Sequence, residues 1–160
     1  MKKEKKQNYD GAVVLGLNDA LVEMSGALVG LSFALTESKL IATVGIITGF
    51  AAALSMGASE YLSAKEDRKR KPLKAATYTG ITYIIAVLLL VTPYFLLKNI
   101  YVSAIVMLII MICIIAVYTK YDSKIRNESF KKKFTEMLFI SLGVATISFA
   151  FGLIVRKLLA

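Results

Sequence analysis

The sequence predicts an all-α integral membrane protein, a bundle of five transmembrane helices forming a single domain over residues 1–160. Three observations carry that expectation. Of the 160 residues, 57% are hydrophobic, and they gather into long runs instead of recurring with an amphipathic period. Five runs, at about 11–35, 40–64, 75–97, 99–119 and 137–155, approach or exceed the ~20 residues that a helix needs to cross the hydrocarbon core. The basic residues cluster at alternate ends of these runs, as they do in a chain that crosses a membrane repeatedly.

Residues 1–9 form a short basic tail with Lys2, Lys3, Lys5 and Lys6. The first apolar run follows. It is too long for the h-region of a signal peptide and carries Asp19 and Glu23, so it reads as a retained helix. Lys65, Arg68, Lys69, Arg70, Lys71 and Lys74 fill the second connection, and Lys120, Lys124, Arg126, Lys131, Lys132 and Lys133 the fourth. Only Lys39, Lys98, Arg156 and Lys157 fall on the other side. The positive-inside rule then puts the N-terminus in the cytoplasm and the C-terminus outside, which five spans require.

Small residues mark the first two helices: Gly11, Gly16, Gly26 and Gly30 on the first, and Gly45, Gly49, Ala53 and Gly57 at intervals of four on the second. Small residues let membrane helices approach closely, so these two helices are expected to form the dense centre. The third helix is rich in Thr, Tyr, Ile and Leu and carries Pro93 near its outer end, where neighbours must satisfy the freed carbonyl. The fourth is almost purely aliphatic and is expected to face lipid, with Met107 and Met111 as filler. Lys120 to Glu136 reads as a polar cytoplasmic connection, partly helical. The fifth helix, with Gly143, Ala145 and Gly152, is suited to pack against the first pair.

The net charge of +9 flanks helices on one side, which points to anionic lipid and not to nucleic acid. Cys113 is the only cysteine and there is no histidine, so disulfide frameworks and the usual zinc ligand sets are excluded. No phosphate-binding glycine loop with Lys is present either, and an enzyme or an ATP-driven pump is not expected.

The chemistry concentrates on Asp19 and Glu23. An ionised side chain near the centre of a membrane helix costs roughly 2.5–3.5 kcal/mol on insertion scales, so an intramembrane acid points to an ion or proton path. Spacing of i, i+4 places both on one face. With the first helix centred near Glu23, Asp19 lies ~6 Å toward the cytoplasm; in the returning second helix Met56 falls at nearly that depth, and Glu60 one turn further. Carboxylates suit hard divalent ions and a thioether biases a site toward softer ones, so Asp19, Glu23, Met56 and Glu60 read as a ladder for first-row divalent metals. Two acids one turn apart in a low dielectric do not both ionise cheaply, so an arriving metal displaces a proton. The bland alternatives are an interhelical hydrogen bond for the acid pair, an interfacial position for Glu60 and core filling for Met56.

The stretch Leu17-Asn18-Asp19-Ala20-Leu21-Val22, followed by a glycine-rich run, and the stretch Ser55-Met56-Gly57-Ala58-Ser59-Glu60-Tyr61-Leu62-Ser63-Ala64-Lys65 resemble the vacuolar iron transporter family. The resemblance covers nearly the whole chain. It implies a homodimer with the path between subunits, Asp19 and Met56 as pore ligands for Fe²⁺, and proton-driven removal of metal from the cytoplasm, with Fe²⁺ or Mn²⁺ as substrate and no permanently bound cofactor. Eukaryotic members insert a Glu-rich cytoplasmic domain between helices two and three. Here Lys65 to Lys74 is only ten residues, six basic and two acidic. The chain therefore resembles a prokaryotic-type member, for which a plasma membrane is the expected location. Two other classes compete: a non-transporting accessory or scaffold subunit, and a proton-coupled exporter of small organic cations. The latter usually needs an aromatic-lined cavity, and the first two helices offer only Phe33, Phe50 and Tyr61.

Overall fold

The computed structural model describes residues 9–67 and 71–159, apart from the side chains of 125, 126 and 159. Lys2, Lys3, Lys5, Lys6, Arg68, Lys69 and Arg70 of the charge argument, and the side chain of Arg126, lie outside the described residues. Five helices are long and apolar enough to cross a membrane. They are α1 (Asp10–Ala34), α2 (Ser38–Asp67), α3 (Pro72–Leu96), α4 (Ile100–Arg126) and α5 (Phe130–Leu159).

Local sequence sets the ends. Pro72 opens α3, where its missing N–H costs nothing because the first turn has no acceptor for it. Asn99 caps α4 by accepting from the backbone N–H groups of Tyr101 and Val102 at 3.0 and 3.2 Å. Asn127, in the left-handed region at φ 53°, closes α4, and Glu128 N–H returns to Ser123 O at 3.1 Å. Both α4 and α5 run further than their hydrophobic runs, to Arg126 and from Phe130 instead of the expected 119 and 137.

The centre of the bundle is not the α1–α2 pair that the glycines suggested. Helix α3 lies between them, packed along α2 and against the N-terminal half of α1, while the C-terminal half of α1 packs on α5. The small residues explain this. A Cβ on Gly16 would stand 2.3 Å from Thr79 O of α3, and one on Gly152 of α5 would stand 2.3 Å from Gly30 O of α1. Gly45 and Gly49 of α2 face Val91 and Val87 of α3. Helix α4 is not wholly given to lipid either, since Met107, Met111 and Ile115 are completely buried while Ile105 and Ile109 on the other face are exposed.

Hydrogen bonds between helices reinforce the packing, as expected where no water competes. Thr79 Oγ1 donates to Ala12 O at 3.0 Å. At the other end Ser32 Oγ and Tyr94 Oη are 2.8 Å apart, Ser38 Oγ donates to Tyr94 O at 2.9 Å, and Ser38 and Ser103 hydroxyls lie 3.3 Å apart. Four helices meet in that network.

Candidate functional site

Between Asp19 and Glu23 the hydrogen-bond ladder of α1 widens into a π-helical turn, Ala20–Met24. Such turns are rare, and they often mark functional sites because they re-aim side chains within a continuous helix. Here the turn begins directly after Asp19 and includes Glu23, so the two acids flank its first residues on one helix.

Tyr83 completes the arrangement. This α3 side chain is wholly buried, and its hydroxyl donates to Glu23 Oε2 at 2.8 Å. Sequence reasoning missed it. A signal was present: a tyrosine in the middle of an apolar helix must find a partner for its hydroxyl, and an acid at matching depth is the available one.

Glu23 itself is exposed on the surface of the chain. It borders a groove of about 590 Å³ floored by Ala27, Gly30 and Ala34 of α1 and walled by α2 and α5. Asp19 is half-buried and opens instead into a smaller groove with Gly11, Val14, Asn18 and Val22.

Met56 and Glu60 stand apart from this pair. The contact of Gly49 with Met24 and of Gly45 with Leu28 defines an antiparallel register for α1 and α2. Extended toward the N-terminal end of α1, it sets Met56 opposite Leu17, two residues or about 3 Å in depth from Asp19. Depth therefore agrees with the sequence argument, yet Met56 is half-buried against the hydrophobic core. Glu60, 7% exposed, lies one turn before Ala64, which packs with Ala12 and Ala75. Among the described residues no three acid or cysteine side chains converge into a cluster able to hold a metal ion, so one chain brings the Asp19–Glu23 pair and no third acid to it.

Five membrane-length helices define a multi-pass membrane protein. The family model described as VIT family matches residues 11–70 and 65–153. The chain belongs to the VIT family, the vacuolar iron transporters, whose members move metal ions across membranes and are not an enzyme family. Comparison with curated proteins finds no match.

Proposed function

We propose that the chain is a proton-coupled exporter of divalent first-row metals, Fe²⁺ and with it Mn²⁺, carrying them from the cytoplasm across the plasma membrane. The observation that carries this reading is the Asp19–Glu23 pair at a π-helical turn of α1, with the wholly buried Tyr83 donating to Glu23. Two acids one turn apart in a low dielectric do not both ionise cheaply. A divalent ion takes both oxygens and releases a proton, and reprotonation from the far side expels the ion. Met56, close to Asp19 in depth, supplies a thioether, and Glu60 meets the cation near the inner boundary.

The working unit is a homodimer. A carboxylate exposed to lipid at mid-span is costly, and Glu23 is exposed on the single chain beside a groove floored by small residues. A second copy across a two-fold axis would cover that face and bring a second Asp19, Glu23 and Met56 to it. The N-terminus and the α2–α3 and α4–α5 connections are cytoplasmic in this reading, with their lysines and arginines on anionic lipid headgroups.

The Tyr83–Glu23 hydrogen bond favours a second reading, in which the acids only tie α1 to α3 and the chain is an accessory subunit. Cells expressing the Asp19→Asn/Glu23→Gln double variant separate the two. The exporter reading expects lost tolerance to excess Fe²⁺ and Mn²⁺ at unchanged protein level. Unchanged tolerance supports the accessory subunit.

A further inference from the structure

A second cleft, of about 480 Å³, lies between the N-terminal half of α1, the end of α4 and the start of α5. Near the α4–α5 connection it is charged, with Asp122, Glu128, Glu136 and Lys133; Lys133 pairs with Asp122 and lies 3.4 Å from Glu128. Its remaining walls are Val14, Val22, Tyr118, Thr119, Met137 and Ile140, and Asn18 is the polar side chain that α1 contributes.

Asn18 occupies an unusual position. Val14, Asn18 and Val22 line both this cleft and the groove into which Asp19 opens, so they form the partition between the two. Spaced four apart on α1, they make an apolar wall with a single amide in it. Among the described residues, the buried side-chain polar atoms without a hydrogen-bond partner are Asn18 Oδ1 and Ser141 Oγ. Ser141 directly follows Ile140 and lies one turn beyond Met137, both on the cleft wall. A buried polar atom left without a partner costs about 1–3 kcal/mol, and water is the usual remedy where a polar site has room. At about 30 Å³ per water, the cleft holds on the order of ten.

We propose that this cleft is an aqueous vestibule within one subunit, open at the α4–α5 connection and ending on Asn18, which gives water and the protons it carries a route to the Asp19 groove. Its ligand is water, not metal: Lys133 stands among its acids, and no acid cluster able to hold an ion is present among the described residues. The vestibule rests on the transport reading for its purpose, though not for its existence.

Cysteine accessibility tests it on the full-length protein in sealed inside-out vesicles, with Cys113→Ala as background. Met137→Cys and Thr119→Cys report from opposite walls, at positions 9% and 2% exposed; Ile109→Cys, 54% exposed on an apolar face of α4, is the dry control. A thiolate in water attacks the sulfur of a charged methanethiosulfonate, forming a mixed disulfide and expelling methanesulfinate, whereas a thiol in a dry environment stays protonated and unreactive. Both wall cysteines should label about ten-fold faster than Ile109→Cys or more, from the side of the α4–α5 connection only. Rates no faster than that control at both positions overturn the vestibule. In liposomes, Asn18→Leu should cut proton movement accompanying metal by about ten-fold while the wall cysteines still label, because the leucine closes the partition and not the cleft. Wild-type proton flux in Asn18→Leu overturns the route through Asn18. If the unaltered protein moves no metal, the transport reading falls, and the labelling still decides the vestibule.

Discussion

The Tyr83 hydroxyl donates a 2.8 Å hydrogen bond to Oε2 of Glu23, sixty residues away in the chain, and ties the middle of α3 to the acid pair of α1. The two acids are therefore not equivalent: Glu23 accepts from a buried tyrosine and borders one groove, while Asp19 opens into another.

Tyr83→Phe removes that donor and preserves the ring, which is completely buried. We expect a stability loss of about 1–2 kcal/mol, read as a lower melting temperature in detergent, together with weaker metal-driven proton release. Tyr83→Ala also opens a cavity and should cost about 3–5 kcal/mol. Equal metal and proton responses in Tyr83→Phe and the unaltered protein would reduce the bond to a structural tie.

Glycine substitutions test the packing order. Gly16→Ala puts a methyl group 2.3 Å from Thr79 O, and Gly152→Ala puts one 2.3 Å from Gly30 O, backbone contacts that no rotamer change relieves. Each should destabilise by about 1–3 kcal/mol. Gly143→Ala meets nothing within 4 Å and should be neutral or stabilise by up to about 1 kcal/mol through helix propensity. Thermal unfolding of the three variants checks the contrast.

The proposed dimer places the groove beside Glu23 against a second copy. Ala27 is exposed on its floor, one turn from Glu23. In the Cys113→Ala background, Ala27→Cys should form a disulfide-linked dimer in native membranes, whereas Ile109→Cys, on the opposing apolar surface of α4, should not. Equal, slow cross-linking at both positions would argue against this face as the interface.

Much of the fold was legible because hydropathy reports directly on which residues meet the hydrocarbon core. Each of the five runs corresponds to a helix. The partly helical reading of Lys120 to Glu136 holds, with Lys120 to Arg126 and Phe130 to Glu136 in helix, but the exact ends were not legible, because beyond the apolar span hydropathy no longer distinguishes helix from loop. Small residues announced close approach without naming the partner: Gly16 meets Thr79 and Gly30 meets Gly152, so the glycines of α1 serve α3 and α5, not α2.

At the site, the i, i+4 spacing of Asp19 and Glu23 foretold their proximity, and helix rise placed Met56 near Asp19 in depth. The π-helical turn left no trace in composition. Nor did the sequence reveal that the side of α1 carrying Asn18 borders a second cleft.

The most direct measurement is flux in reconstituted liposomes, with a pH-sensitive dye and a metal-quenched dye inside and an imposed proton gradient, comparing Fe²⁺ and Mn²⁺ for the unaltered protein and Asp19→Asn. The account predicts metal movement coupled to proton counterflow and abolished in Asp19→Asn. No flux above protein-free liposomes for any divalent metal, from protein shown to be folded, would contradict it.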